Sequence, residues 1–329
     1  WAAEQTLESA DWYQGTADAV RKQLLEIQST GAKHVLILAG DHLYRMDYKA
    51  MAEFHWANKA DITVAVQPIS KEEVTRFGIL KREANERISS FVEKPKDPEV
   101  QKKFISRDDP ERPFLGSMGI YMFKTRILID LLTNFPNHDD FGGDIIPEAI
   151  KSHAVYGFDF NGYWQDIGTI RSFYETNLAL TTPETPFNFY DAKLPIYTDT
   201  RFLPGSIVED SNLRDVLISE GSRILKSEIT HSIIGIRSQI ATGCVIKDSI
   251  VMGSDYYERD DEGLPIGIGA NCHIEGAILD KNARIGDNVT ILPFPRNADI
   301  DNEKWYVRDG IVVIPKDIEI PSGTRIAPE

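Results

Sequence analysis

The sequence has little cysteine, with only Cys244 and Cys272 among its 329 residues. These two residues are too far apart in sequence to form a short metal-binding pair, and no other cysteine joins them to suggest a disulfide framework. A reducing compartment is therefore the default expectation.

Positive charge is also scarce, because 36 lysines and arginines stand against 51 aspartates and glutamates, for a net charge of −15. No basic run offsets this balance, so the sequence argues against a nucleic-acid partner. The longest apolar runs are only strand-sized, and the N-terminus has no apolar signal core, so no membrane or secretory segment is predicted. The remaining composition, 42% hydrophobic and 26% charged, is typical of a soluble globular protein long enough for two domains.

The first half is organised around the apolar run Val35–Ala39, which is followed by Gly40 and Asp41. This pattern predicts a strand buried on both faces, with Asp41 at its carboxyl end, where open α/β sheets bind ligands. Asp41 also fits an ordinary turn or helix cap, since Gly-Asp pairs often end strands. The run alone does not decide between a cap and a metal ligand.

A glycine turn at Gly15 precedes a predicted helix that is capped by Thr16 and ended by Gly31. Free N–H groups at such a helix start can receive an anion or a nucleotide edge, but an ordinary capped helix fits equally well. The expected buried stripe of this helix consists of Val20, Leu24 and Ile27.

Helical and strand patterns then alternate, with a helix over 47–59 and a strand over 61–66, which predicts a doubly wound, mostly parallel sheet. A later strand ends at Glu93 and Lys94, just before Pro95. This acid-base pair fits a solvated turn. It also fits a site in which Lys94 faces a phosphate and Glu93 accepts hydrogen bonds from sugar hydroxyls.

A second candidate carboxylate, Asp166, lies at a strand-to-helix junction. An aspartate there is often an Asx-turn or cap residue. Asp41 and Asp166 nevertheless both follow strands, and their loops fit one rim of the sheet. Because Mg²⁺ takes one or two carboxylates together with substrate phosphates, the topology makes a shared metal site a hypothesis.

The second half has aliphatic residues at intervals of six, which is the hexapeptide repeat of a parallel β-helix. An acidic loop from Ser254 to Pro265 interrupts the repeat. We predict a catalytic domain over 1–180, a linker over 181–201 and a β-helix domain over 202–329. The repeat positions are Ile234, Ile240, Ile246, Ile268, Ile274, Leu279, Ile285 and Ile291.

Taken together, these stretches resemble the glucose-1-phosphate adenylyltransferases, or ADP-glucose pyrophosphorylases, over nearly the whole chain. The resemblance implies a sheet domain of the nucleotide-diphospho-sugar transferase type followed by a left-handed β-helix. It also implies the Mg²⁺-dependent conversion of ATP and glucose 1-phosphate to ADP-glucose and diphosphate, in glycogen or starch biosynthesis. The motifs are WYQGTADAV, GDHLYRMDY, FGIL, FVEKP, SMGIYMF, DFGGDIIP, YWQDIGT, IGIG, DKNARIGDNV and DGIVVIPK.

The resemblance also assigns roles to individual residues. Asp41 and Asp166 would hold the metal, and Lys94 would bind the phosphate of glucose 1-phosphate, so that Asp41 and Lys94 are the expected catalytic residues. Gly15 and Thr16 would face the nucleotide. The remaining residues expected around glucose 1-phosphate are Tyr13, Gly78, Glu93, Ser117, Tyr121, Asp140, Phe141 and Trp164.

Regulation and assembly follow from the same resemblance. Lys281 and Lys316 occupy positions that contact an anionic allosteric effector in plant-type members, although surface lysines fit the sequence equally well. The assembly would be a homo- or heterotetramer, in a bacterial cytoplasm or a plastid stroma. The sequence names neither the effector nor the compartment.

The family begins with a strand and a glycine-rich loop of the kind GGxGTRLxPLT, for which nothing precedes Trp1. We therefore expect the chain, as it stands, to be inactive alone. Three alternatives stay open: a non-catalytic regulatory subunit, a nucleotidyltransferase for another base, and an acyltransferase of the hexapeptide type. The acyltransferase would need a catalytic histidine, for which His231 and His273 are the available but more ordinary candidates.

Overall fold

The computed structural model describes residues 13–186, 189, 191–257 and 263–328. Trp12, in the first motif, and residues 258–262 of the acidic loop lie outside this part. The chain divides into two compact units, 1–40 with 44–162 and 41–43 with 163–329. The predicted limits at 180 and 202 stay predictions. Among the described residues, no helix combines the length and apolarity needed to cross a bilayer.

The first unit is built on a six-stranded sheet in the order β5-β4-β6-β3-β7, with β1 also paired to β6. Strand β6 is antiparallel to β1, β3 and β4, whereas β3 and β7 are parallel. Strands β1, β3, β4 and β7 therefore share one direction, and the sheet is mixed because β6 enters among them reversed. Numbered in chain order over both units, the strands are β1 His34–Ile37, β3 Ile62–Ile69, β4 Ile79–Arg82, β5 Ile88–Val92, β6 Phe114–Lys124 and β7 Val155–Asp159.

Helices cover this sheet and share its core. Helix α5 buries Leu128 and Leu132 completely, in the same apolar cluster as Phe123 of β6. Each such side chain contributes about 1.5–3 kcal/mol when removed from water. The helices are α1 Thr16–Arg21, α2 Leu24–Ser29, α3 Tyr48–Ala57, α4 Pro98–Lys103, α5 Thr125–Asn134, a π-helix Phe141–Ile145 and α6 Ile146–Ile150.

Two local predictions in this unit were wrong. The helix after Gly15 is interrupted after Arg21, and Thr16 does not cap it, because the Thr16 hydroxyl donates to Asp140 Oδ2 at 3.0 Å. Strand β1 is only half-buried, since β6 is its one strand partner within the described residues. The helix predicted from residue 47 does form, and the Asp47 side chain caps it by accepting from the Lys49 N–H at 2.9 Å.

The second unit contains the predicted parallel β-helix. Its coils are made of two- to seven-residue strands, most of them paired in parallel with the next coil. The strands are β9 Ile207–Glu209, β10 Asn212–Ile218, β11 Arg223–Leu225, β12 Glu228–Ile234, β13 Gln239–Ile240, β14 Val245–Lys247, β15 Ile250–Val251, β16 Gly267–Ile268, β17 His273–Glu275, β18 Ala277–Leu279, β19 Arg284–Ile285, β20 Thr290–Ile291, β21 Ile300–Asp301, β22 Tyr306–Arg308, β23 Ile311–Ile314, β24 Glu319–Ile320 and β25 Arg325–Ile326.

Aliphatic side chains stack along the inside of the β-helix, and every predicted repeat position is buried. Because the coils pair in register, each stack runs through consecutive turns and buries apolar surface continuously. The first stack consists of Ile224, Ile240, Ile268, Ile285 and Ile320. The second consists of Ile229, Ile246, Ile274, Ile291 and Ile326. The third consists of Ile234, Val251, Leu279 and Ile314.

The same unit includes a short strand pair and a helix that pack with the β-helix. Strand β2, His42–Tyr44, pairs with β8, Trp164–Asp166, and α7, Ile170–Ala179, follows. The Thr169 and Ser172 side chains form a reciprocal capping box at the start of α7. The Tyr174 hydroxyl donates to the Asp248 carbonyl, which fixes α7 on the coils.

Candidate active site

The structure brings Asp41 and Asp166 together, as the topology predicted. Asp41 immediately precedes β2 and Asp166 ends β8, so the pairing of these strands makes the two carboxylates neighbours. The Ile167 N–H donates to the Asp41 carbonyl at 2.9 Å and holds the two segments in register. One ligand atom each from Asp41, His42 and Asp166 lies within 4.8 Å of the others. We call Asp41 and Asp166 the carboxylate pair.

His42 is a member of this cluster that sequence reasoning missed. Its Nε2 lies 3.5 Å from Asp41 Oδ1, and its ring meets Trp164 edge-on at 5.1 Å. Its Nδ1 is buried and has no hydrogen-bond partner among the described residues. Adjacent residues of a strand point to opposite faces, so the sequence gave no reason to group His42 with Asp41; the bend at Asp41 removes that alternation.

The donors of this cluster fit a hard divalent cation. Asp41 has 64% of its side chain exposed, so its carboxylate is accessible, and carboxylate oxygens are the ligands that Mg²⁺ and similar ions prefer. One oxygen of Asp166 accepts the Gly168 N–H at 3.0 Å. The Asx-turn weighed for Asp166 is therefore present, and it orients the carboxylate.

A second group of predicted residues meets in the first unit around Glu93, and we call it the Glu93 pocket. A Cβ added to Gly78 would lie 2.5 Å from Glu93 Oε2, and one added to Gly142 would lie 2.7 Å from the same atom. Only glycine leaves room for the carboxylate at these two positions. Burial raises the pKa of Glu93 and nearby Asp140 adds to the rise, whereas Lys94 opposes it.

Lys94 sits at the edge of this pocket in an uncommon backbone conformation. Its φ of 41° is in the left-handed region, which costs a residue with a side chain roughly 1 kcal/mol or more. Its backbone N–H donates to the Phe77 carbonyl at 3.2 Å, and its Nζ lies 3.4 Å from Glu93 Oε1. With 60% of the side chain exposed, the ammonium is available to a ligand.

Ser117 and Tyr121 of β6 complete the wall beside Glu93. The Ser117 N–H donates to the Gly78 carbonyl at 2.7 Å. Tyr121 is buried, its hydroxyl is hydrogen-bonded to the Ser117 side chain, and its ring lies 5.6 Å from that of Phe141. Burial raises the pKa of Tyr121, so the phenol stays protonated and keeps its hydroxyl as a donor.

The Gly15–Thr16 segment is tied to the loop that carries Asp140. Phe141 N–H donates to the Thr16 hydroxyl at 3.1 Å, and a Cβ on Gly15 would lie 2.2 Å from the Asp139 carbonyl. That carbonyl also accepts the Ala17 N–H at 2.8 Å. This first-turn N–H, considered above as a free anion donor, is therefore already used, and the direct role of Gly15 and Thr16 toward a nucleotide stays a prediction.

The remaining predicted residues lie apart from the Glu93 pocket. Tyr13 accepts a hydrogen bond from Gln23 at 3.4 Å, and its ring lies 5.2 Å from Lys22 Nζ. Trp164 packs on His42 in the second unit. In the β-helix, Lys281 and Lys316 both contact Asp255, another residue that the sequence analysis did not single out.

Comparisons with known proteins agree with these groupings. Residues 2–183 match the nucleotidyl transferase family, and residues 201–325 match the left-handed parallel beta-helix domain named GLGC. The chain is 43% identical, over 99% of its own length and 73% of the relative, to the chloroplastic/amyloplastic small subunit of glucose-1-phosphate adenylyltransferase from Triticum aestivum. The predicted fold class, including the hand of the β-helix, is thereby confirmed. The chain belongs to the nucleotidyl transferase family, in its glucose-1-phosphate adenylyltransferase branch.

Proposed function

We propose that this chain transfers the adenylyl group of ATP to glucose 1-phosphate, giving ADP-glucose and diphosphate for starch or glycogen synthesis. The observation that carries the proposal is the convergence of Asp41 and Asp166, far apart in sequence, on one potential metal site in a chain of this family. A phosphate oxygen of glucose 1-phosphate forms a bond to the α-phosphorus of ATP. The bond from that phosphorus to the departing diphosphate breaks, so positioning and charge neutralisation carry the catalysis.

The carboxylate pair would hold the divalent metal ion that nucleotidyl transferases generally use. We assign Mg²⁺ to it because both acidic ligands offer hard oxygen atoms. When bound, such an ion neutralises phosphate charge. Asp166 is oriented by its turn to Gly168, and Asp41 is fixed through the Ile167 contact, so the protein presents both carboxylates with little rearrangement.

The Glu93 pocket would bind glucose 1-phosphate. Lys94 presents an exposed ammonium to the phosphate, and a charged hydrogen bond of this kind contributes about 1.5–3 kcal/mol. Glu93 accepts hydrogen bonds from sugar hydroxyls, which stabilise its charged form in a partly desolvated place. Gly78 and Gly142 leave the space, while Ser117, Tyr121, Asp140 and Phe141 surround it.

Assembly, regulation and compartment are finer parts of the proposal. The wheat relative is called a subunit and chloroplastic/amyloplastic. We assign this chain to a homo- or heterotetramer in a plastid stroma or a bacterial cytoplasm. An anionic effector would bind at Lys281 and Lys316, which the structure places beside each other on one carboxylate.

The test is diphosphate release from ATP and glucose 1-phosphate by the full-length protein with Mg²⁺. Asp41→Asn removes a metal ligand and should lower kcat by about 10³-fold or more. Asp47→Asn is the matched control, because Asp47 only caps α3 and asparagine also caps helices well. Activity should then stay within about twofold.

Other outcomes would redirect the assignment. Unchanged activity in Asp41→Asn would contradict the metal role. A wild-type protein without turnover would point to a regulatory subunit, and a preference for GTP, UTP or dTTP would change the base. Acetyl-CoA turnover would indicate an acyltransferase. The structure gives that last reaction little support, because His231 Nδ1 is paired with Asp248 Oδ1 at 2.6 Å.

A further inference from the structure

One aspartate, at the start of the acidic loop that interrupts the β-helix, lies between the two lysines assigned to an effector. Lys281 Nζ lies 2.7 Å from Asp255 Oδ1, and Lys316 Nζ lies 2.7 Å from Asp255 Oδ2. Each carboxylate oxygen therefore has its own ammonium partner. We call Lys281 and Lys316 the two-lysine site.

The carboxylate of Asp255 is held in place from its own backbone. The Asp255 N–H donates to Asn282 Oδ1 at 2.8 Å, and Asn282 Nδ2 lies 3.3 Å from Asp255 Oδ2. Asn282 is almost fully buried, and its Nδ2 also donates to Asp317 Oδ1 at 2.8 Å. The contact with the lysines is therefore preorganised.

The residues around Asp255 are attached to neighbouring coils. Ser254 N–H donates to the Ile236 carbonyl at 2.8 Å, and the Ser254 carbonyl accepts from Arg237 Nη1 at 3.1 Å. The Tyr257 hydroxyl donates to the Gly221 carbonyl at 2.9 Å. With this backbone anchored, the Asp255 side chain can leave the lysines by rotation, without rearrangement of the described coil.

All three charged groups are ionised and reachable from solvent. The hydrogen bonds from Lys281 and Lys316 hold the pKa of Asp255 well below its usual range, and Asp255 raises the pKa of Lys316. The side chains of Asp255, Lys281 and Lys316 are 33%, 29% and 50% exposed. A dissolved anion can thus reach the ammonium groups that Asp255 now neutralises.

We infer that Asp255 is a built-in competitor at the two-lysine site, whose carboxylate occupies the site until an anionic ligand displaces it. The inference rests on the effector role proposed above for Lys281 and Lys316. Because the resident group carries a single negative charge, a phosphate dianion displaces it more readily than a monocarboxylate does. Asp255 therefore sets both the threshold concentration of the effector and its charge class.

The experiment measures the affinity of the full-length protein for inorganic phosphate by calorimetry. Asp255→Asn keeps the shape and removes the competing charge, so phosphate should bind about five- to tenfold more tightly. Asp255→Ser should do the same, and Asp255→Glu should restore wild-type affinity. The matched control, Asp317→Asn, removes a nearby charge that accepts from Asn282, and should change the affinity less than about twofold.

The outcomes separate this inference from the proposed effector role. If the double variant Lys281→Gln/Lys316→Gln loses phosphate binding while Asp255→Asn and Asp255→Ser bind as the wild type does, the competitor role is overturned and the effector site stands. If the double variant binds phosphate normally, the effector site itself is wrong, and the inference falls with it. An equal gain of affinity in Asp317→Asn would reduce Asp255 to one charge among several, and would also overturn the inference.

Discussion

Glu93 with Lys94 in the first unit and Asp255 with its two lysines in the second are built from the same chemical groups but behave oppositely. Glu93 has an ammonium 3.4 Å away, and burial raises its pKa. Asp255 has two at 2.7 Å, and its pKa is lowered. Burial and the number of close partners, rather than residue type, decide the electrostatic character of each carboxylate.

This difference has a functional consequence. A partly desolvated carboxylate with one long ion pair gains stability when a ligand donates hydrogen bonds to it, which suits Glu93 to a neutral, hydroxyl-rich group. A carboxylate already held by two ammonium groups gains little from a further donor. A ligand at the two-lysine site must instead replace Asp255, so the first region is arranged for binding and the second for competition.

The largest effect on this comparison is expected from removing the space around Glu93. In Gly78→Ala the new methyl group would overlap Glu93 Oε2 and Phe91, both about 2.5 Å away, so the carboxylate must move. We expect KM for glucose 1-phosphate to rise about 100-fold, since a displaced charged partner costs about 2–3 kcal/mol. Steady-state kinetics of the full-length protein would measure it.

Gly143→Ala is the matched control for this substitution. A Cβ at Gly143 would make only ordinary contacts, the nearest at 3.5 Å to Asp140. Its KM should stay within about threefold of the wild type. Equal effects of the two substitutions, at unchanged thermal stability, would show that the space beside Glu93 is not specifically required.

A smaller effect, about tenfold at neutral pH, is expected for Glu93→Gln, because the amide is a weaker acceptor than the carboxylate. The raised pKa means that the Glu93 carboxylate protonates at a higher pH than an ordinary glutamate. Affinity for glucose 1-phosphate should therefore fall as pH decreases through that raised pKa. Glu93→Gln should lose this component and keep only the titration of the ligand phosphate.

Calorimetry between about pH 5 and pH 7.5 would measure both profiles. Phosphate binding at the two-lysine site supplies the contrast, because the lowered pKa of Asp255 keeps that carboxylate ionised throughout the range. Identical pH profiles for wild type and Glu93→Gln would break the comparison between the two regions.

Much of this architecture could be predicted because it depends on local periodicity. Aliphatic residues spaced by six stack one coil on the next, so the core of the β-helix follows from the pattern alone. The meeting of Asp41 and Asp166 followed from a general property of α/β sheets, in which strand ends gather ligands.

What could not be predicted depends on contacts between distant segments. The Thr16 hydroxyl is engaged by Asp140, 124 positions away, so a helix that looked capped locally is not. Asp255 meets Lys281 across an interruption of the repeat, where the register of successive coils cannot be read from spacing. His42 joins the carboxylate pair because the bend at Asp41 breaks the alternation that an extended strand would impose.

The most direct test of the central claim is the effect of Lys94→Gln on the two substrates separately. If the exposed ammonium of Lys94 binds the sugar phosphate, KM for glucose 1-phosphate should rise by at least about tenfold while KM for ATP changes less than about twofold. Lys96→Gln, at a nearby exposed lysine, should leave both constants unchanged. A rise in KM for ATP instead, or equal effects of the two lysine substitutions, would contradict the account.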